Sequence, residues 1–162
     1  MNPITVRKAS QRDIDALGAL FIELDHHHFI RRPHEFLCLE GPARSREMIA
    51  GMVASETAAV FVAEEDASGR LVGLAHVHRR DFAPTIVAPA RTVAEVDSLV
   101  VAPDARRRGV ATRLLAEAQR WAVLNDLTAL ELGVREFNAD ALAFYKAFGL
   151  VTASRRMTLT VA

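Results

Sequence analysis

Val101-Ala102-Pro103-Asp104-Ala105-Arg106-Arg107-Arg108-Gly109-Val110-Ala111 is the stretch whose reading decides the fold. It joins a β-type run, Val93 to Val101, to a segment in which Val110, Leu114, Leu115, Ala118, Trp121 and Ala122 keep the 3.6-residue helical period. Pro103 stops the strand. A helix that opens at Gly109-Val110 begins with backbone N–H groups that have no intrahelical partner, at the positive end of the peptide dipoles. Three arginines at that end are unfavourable to the helix unless an anion lies among them. Gly109 has no Cβ and Ala111 is small, so a phosphate can approach the backbone closely. The loop therefore reads as a pyrophosphate cradle at Arg106, Arg107, Arg108, Gly109, Val110, Ala111 and Thr112. No Gly-Lys-Ser/Thr follows it, and the three-glycine dinucleotide pattern is absent, which argues against nucleotide hydrolysis and hydride transfer.

Outward from this unit the chain alternates strand and helix patterns. Ile4-Thr5-Val6 runs into Arg7-Lys8 as a strand, and Ser10 with Asp13 resembles a capping box. The helix that follows carries Ile14, Leu17, Leu20, Phe21 and Leu24 on one stripe and ends near Arg31-Arg32, because Pro33 cannot continue it. A second helix is predicted over Ala43 to Ser55. Ala59–Ala63 and Leu71–Val77 form a hairpin about the turn Asp66-Ala67-Ser68-Gly69, and a polar stretch, Arg79 to Thr92, leads to the central strand. After the arginine loop and its helix, Leu130, Leu132 and Val134 alternate as a strand. Asn138 caps a helix bearing Phe144, Tyr145 and Phe148, and Gly149 closes it. Met157, Leu159 and Val161 alternate as a last strand. The expectation is a single α/β domain over residues 1–162 with a mixed sheet, in the order β-α-α-β-β-β-α-β-α-β.

The 162 residues carry 20 basic and 20 acidic side chains, so no global field draws the protein to nucleic acid or an anionic membrane, and any anion site is local. The start Met1–Lys8 lacks a signal-peptide core, and no run approaches the roughly 20 apolar residues of a membrane span. Cys38, the lone cysteine, reads as a small packed residue rather than a nucleophile. These features predict a soluble, cytoplasmic protein.

The arginine stretch resembles motif A of the GNAT superfamily of N-acetyltransferases, Gln/Arg-x-x-Gly-x-Gly/Ala after a strand that ends in a Val-x-Pro step. Asn138-Ala139-Asp140-Ala141-Leu142-Ala143-Phe144-Tyr145-Lys146-Ala147-Phe148-Gly149-Leu150 is similar to motif B, and the predicted element order matches over essentially the whole chain. The resemblance implies acetyl-CoA as co-substrate, no metal, and direct acetyl transfer to a primary amine. It also implies a splayed central strand whose backbone at Leu99, Val100 and Val101 binds the pantetheine arm and polarises the acetyl carbonyl. Tyr145 falls where the family's tyrosine protonates the departing thiolate, and Asn138 is a helix cap, a coenzyme contact, or both.

Glu95 and Asp97 precede Leu99 by four and two residues, so period-two geometry places them on its face of the strand. A carboxylate partly desolvated there would have a raised pKa and could accept the amine proton. Glu95 is preferred because its offset from Arg106 matches the glutamate base of some relatives; Asp97 and a water chain stay open. His26-His27-His28 lacks metal-ligand spacing and is assigned, with Phe29, Arg31 and Arg32, to an acceptor pocket. The acceptor is a small-molecule or protein amine, and pairing into a homodimer is an expectation of the resemblance. The rival reading is a non-catalytic module that binds coenzyme A.

Overall fold

A computed structural model describes residues 3–37 and 40–161, so Cys38 lies outside the described residues. The packing divides the chain into two compact units, Met1–Leu132 and Gly133–Ala162.

The first unit is a mixed sheet between helices. Its strands are β1 (Ile4–Lys8), β2 (Ala58–Glu65), β3 (Leu71–Phe82), β4 (Arg91–Val101) and β5 (Leu130–Leu132), and they lie side by side in chain order. The first four are antiparallel to their neighbours, and β5 runs parallel to β4. The helices are α1 (Ile14–Arg31), α2 (Arg46–Ala54) and α3 (Val110–Leu124). Leu17, Leu20 and Phe21 of α1 and Ile49 of α2 pack on one sheet face, against Val60, Val62, Leu74 and Val100. Each such side chain withdrawn from water contributes about 1.5–3 kcal/mol. On the other face α3 lies so close that a Cβ at Gly73 would sit 2.9 Å from the Val100 carbonyl oxygen and 3.1 Å from Leu114 Cδ1.

Local chemistry sets the element ends. Asp13 accepts from the Ser10 N–H at 2.7 Å and from its hydroxyl at 3.0 Å, which starts the turn into α1. Arg7 closes the same corner with bonds of 2.8 and 2.9 Å to Asp13, and its partnership holds the nearly buried Asp13 carboxyl well below the usual range. Ser45 accepts from Met48 N–H, so α2 begins at Arg46, three residues later than the apolar pattern implies. β3 and β4 extend through much of the stretch expected as loop, with Arg79, Arg80, Asp81 and Phe82 paired to Ala94, Val93, Thr92 and Arg91. Salt bridges between strands and Arg80 and Arg91 stacked on the Phe82 ring hold these polar residues in the ladder.

In the second unit α4 (Ala139–Phe148) is capped by Asn138, whose Oδ1 accepts from Ala141 N–H at 3.3 Å. Gly149, at φ 113°, ends it in the left-handed conformation that favours glycine. The expected last strand is not formed. Residues 151–161 carry no assigned secondary structure and are exposed, Met157, Leu159 and Val161 included. Alternation alone does not make a strand; it needs a ladder partner and an apolar face to cover. The α/β class with a five-stranded mixed sheet and four helices stands without it.

Candidate functional site

The centre of the first unit is an interrupted strand. β5 pairs with β4 only at Ala94, Glu95 and Val96. From Asp97 to Val101 the β5 side of β4 has no ladder partner among the described residues. At the point where the parallel ladder stops, β4 carries a bulge: Val96 opposes Val77 and Ser98 opposes His76, which leaves Asp97 as the extra residue. An inserted residue reverses the alternation of the strand beyond it. Before the bulge Ala94 N–H donates to Ala129, towards β5; after it Ala102 N–H donates to Val72, towards β3. The backbone groups of Leu99 and Val101 therefore turn to the open edge, and the Val101 carbonyl accepts there from Arg106 Nε at 3.0 Å.

The same bulge corrects the expected facing of the side chains. Residues directly opposite across a ladder share a face. Glu95 opposes His78, Ser98 opposes His76 and Val100 opposes Leu74, so these point to the α1/α2 side. Leu99 opposes Ala75 and lies on the α3 side. Glu95 does not share the face of Leu99, because strict period-two counting does not survive an inserted residue.

Both acidic residues meet histidines of β3. His78 Nε2 lies 3.3 Å from Glu95 Oε2, and Arg80 holds the other Glu95 oxygen at 2.5 Å. His76 Nδ1 lies 3.5 Å from Asp97 Oδ2, close enough for an ion pair but without hydrogen-bond geometry. The two imidazoles stack with centroids 5.6 Å apart. His76 beside Asp97, with help from the Ser98 hydroxyl, holds the Asp97 carboxyl down to about 2. The raised value expected for a desolvated carboxylate is therefore not found at Asp97, since half of its side chain is exposed and a partner favours the anion. The residue pattern alone does not single out His76 and His78; the signal it holds is two histidines at i and i+2 of a strand that opposes an acidic one.

Arg106, Arg107 and Arg108 have three different jobs. Arg106 reaches back to Val101 and to Glu23 of α1, 3.4 Å away. Arg108 binds Glu65 at 3.2 Å, and Glu65 also meets Arg70, which holds Asp104 at 2.6 Å. This chain ties the loop to the β2–β3 turn. Arg107 sits at φ 61°, exposed, and forms no ion pair among the described residues. Gly109 adopts φ 75° as the residue before α3. α3 has no side-chain cap hydrogen bond, and among the described α-helices it alone has no acidic residue in its first turn. Its free N–H groups and dipole end are left for another anion.

The histidine triplet lies on the last turns of α1. His28 stacks on Phe36 at 5.1 Å and meets His27 edge to face at 6.0 Å. Burial, then the charges of Arg31 and Arg106, lower the His27 pKa, which puts His27 in the field of the arginine loop. Nearby in sequence, Asp25 receives both its bonds from Arg44, whose guanidinium also lies 4.4 Å over the Phe21 ring. No group of three or more His, Cys, Asp or Glu among the described residues is arranged to hold a metal ion, and no described helix is long and apolar enough to cross a membrane.

In the second unit Tyr145 is half-buried on α4, its ring 5.2 Å from that of Phe144. Burial pushes its phenol up, so the hydroxyl keeps its proton at neutral pH.

A strand edge left open beyond its parallel neighbour and running into an uncapped, arginine-flanked helix is an α/β site able to receive an extended chain and an anion. The model of the acetyltransferase (GNAT) family matches residues 19–150, and the chain belongs to that family. Among solved structures it is similar to a tetramutant of the BH1408 protein from Bacillus halodurans, with TM-score 0.88, 20% identity and coverage of 97% of this chain and 99% of that one. It is also similar to the aminoglycoside N-acetyltransferase AAC(6')-Iy in complex with CoA, with TM-score 0.73, 17% identity and coverage of 99% and 96%. An acetyltransferase from Trypanosoma brucei gives TM-score 0.67 at 21% identity, with coverage of 98% and 100%. No curated protein sequence matches.

Proposed function

We propose that the protein transfers the acetyl group of acetyl-CoA directly to a primary amine. The observation that carries this reading is the open edge of β4 at Leu99 and Val101 running into the uncapped start of α3. An extended pantetheine arm can add to such an edge as a strand would, with its pyrophosphate at the N–H groups of Gly109, Val110, Ala111 and Thr112. Arg107, exposed and without an ion pair among the described residues, supplies the counter-charge, while Arg106 and Arg108 hold the loop's shape. Asn138 contacts the coenzyme with polar capacity left over from its capping bond.

For the chemistry, a protonated Tyr145 is suited to give its proton to the departing thiolate, and its burial supports that role. Glu95 and Asp97, each with a histidine partner, supply the basic side of the site. The acceptor is an amine of a small molecule or a protein, approaching from the α1/α2 side, where the anionic Asp97 can hold an ammonium group and the His26–Phe29 segment contributes to the pocket.

Calorimetry with acetyl-CoA, followed by coenzyme-release assays on a mixed amine panel and mass spectrometry of the products, tests this. Acetyl-CoA at 100 times its dissociation constant should stabilise the fold by about 2.7 kcal/mol. Absence of any thermal shift overturns the proposal. Binding without release across the panel favours a coenzyme-binding module instead.

A further inference from the structure

Resting on the acetyl-transfer reading, we propose that His76 takes the proton from the acceptor amine, with Asp97 as the residue that positions its ring. His76 is only 7% exposed, on the α1/α2 face of β3, beside the bulge where β4 parts from β5. Its Nδ1 is sealed from solvent, with the Asp97 carboxylate 3.5 Å away. Its Nε2 makes no hydrogen bond among the described residues. A carboxylate beside one ring nitrogen stabilises the imidazolium by its charge, and the other nitrogen is left to accept a proton.

The pair lies at the bulge, where Ser98 opposes His76 and Val96 opposes Val77. Asp97, the extra residue of β4, has its carboxylate 3.5 Å from His76 Nδ1. Asp97 is anionic at any working pH, so it is a fixed charge and a poor proton acceptor in its own right. The neighbouring pair is different: Glu95, which faces His78, is already bound by Arg80. The charged and titratable groups around His76 are Asp97 and Glu95 from β4, His78 from its own strand, and Arg44 before α2, which acts on Asp97 while bonded to Asp25 of α1. β2 presents Val60 opposite it.

The proton balance closes. His76 Nε2 takes one proton from the ammonium group, and the neutral nitrogen attacks the thioester carbonyl carbon. The C–N bond forms and the C–S bond breaks; the new amide nitrogen releases its second proton to solvent, and the thiolate takes up a proton from solvent. The imidazolium then returns its proton to solvent.

The test is a pH–rate profile, with acetyl-CoA affinity measured in parallel, on wild type, His76→Gln and Asp97→Asn. His76→Gln should keep acetyl-CoA affinity within about twofold, lose about 10²–10⁴ in kcat and lose the ascending limb of the profile. Asp97→Asn should lose kcat with little change in acetyl-CoA affinity and alter the ascending limb of the profile, because the carboxylate beside the ring is gone. Added imidazole should restore part of the rate to His76→Gly, which a merely structural role would not allow. Should His76→Gln fail to bind acetyl-CoA, the half-exposed Asp97→Asn decides, and an unchanged kcat and profile there overturns the proposal. An active wild type with a His76→Gln profile like its own overturns it as well. A wild type that neither binds acetyl-CoA nor releases coenzyme overturns the acetyl-transfer reading and this one with it.

Discussion

Replacing Gly109 separates what the arginine loop needs to fold from what it needs to bind. At φ 75° the residue is left-handed, and a Cβ built there meets nothing within 4 Å. Gly109→Ala therefore carries conformational strain without a clash, about 1–2 kcal/mol. For a chain of this length each kcal/mol moves Tm by roughly 2–4 °C, so a fall of about 2–8 °C is expected. Gly109→Asn should recover much of that loss, because asparagine tolerates the left-handed region. Acetyl-CoA affinity should behave differently. With the pyrophosphate lying against this backbone, any Cβ intrudes on it, so both variants should lose at least tenfold in affinity, about 1.4 kcal/mol, by calorimetry. Arg107→Ala should weaken binding by less. An affinity that returns with stability in Gly109→Asn, or a Gly109→Ala protein that binds like wild type, would refute a backbone cradle at this position.

Four further outcomes follow from the geometry. Gly73→Ala forces a Cβ to 2.9 Å from the Val100 carbonyl and against Leu114 and Val110, and should cost about 1–3 kcal/mol in urea unfolding; an unchanged midpoint would mean α3 yields freely. Tyr145→Phe should lower kcat by about 10²–10⁴ with acetyl-CoA affinity intact, and undiminished turnover removes Tyr145 as the acid. Asp13→Ala strips the half-buried Arg7 of two bonds and Ser10 of its partner, and should cost about 2–3 kcal/mol by denaturant titration. Asp97 has a folded pKa below its unfolded value, so its stabilising contribution is present above about pH 4 and is lost as pH falls towards 2. Acid unfolding of Asp97→Asn should accordingly be flatter in that window, and an identical acid transition would show that His76 does not hold the carboxylate down.

How far the sequence carries can be seen at β4. The helical period after Gly109, the Val-x-Pro stop and the arginine run locate the strand, the loop and α3 correctly, because each is encoded within a few residues of itself. The bulge at Asp97 is not encoded that way. It is a property of the register between β3 and β4, set when Leu74 meets Val100 at one end and Phe82 meets Arg91 at the other with one residue too many between. Nothing within Val93–Val101 announces it, and yet it decides both which backbone groups reach the open edge and which histidine each carboxylate meets. The missing strand at Met157, Leu159 and Val161 has the same origin: alternation describes a segment's two faces, but a ladder needs a neighbour. The division among the three arginines was equally hidden, since Glu23 and Glu65, the residues that separate Arg106 from Arg108, lie 83 and 43 positions away. In this chain residue types mark where the chemistry sits, and long-range register assigns the roles. That is why exchanging Asp97, a single residue at the register shift, is a sharper probe of the site than exchanging any one of the arginines that first drew attention to it.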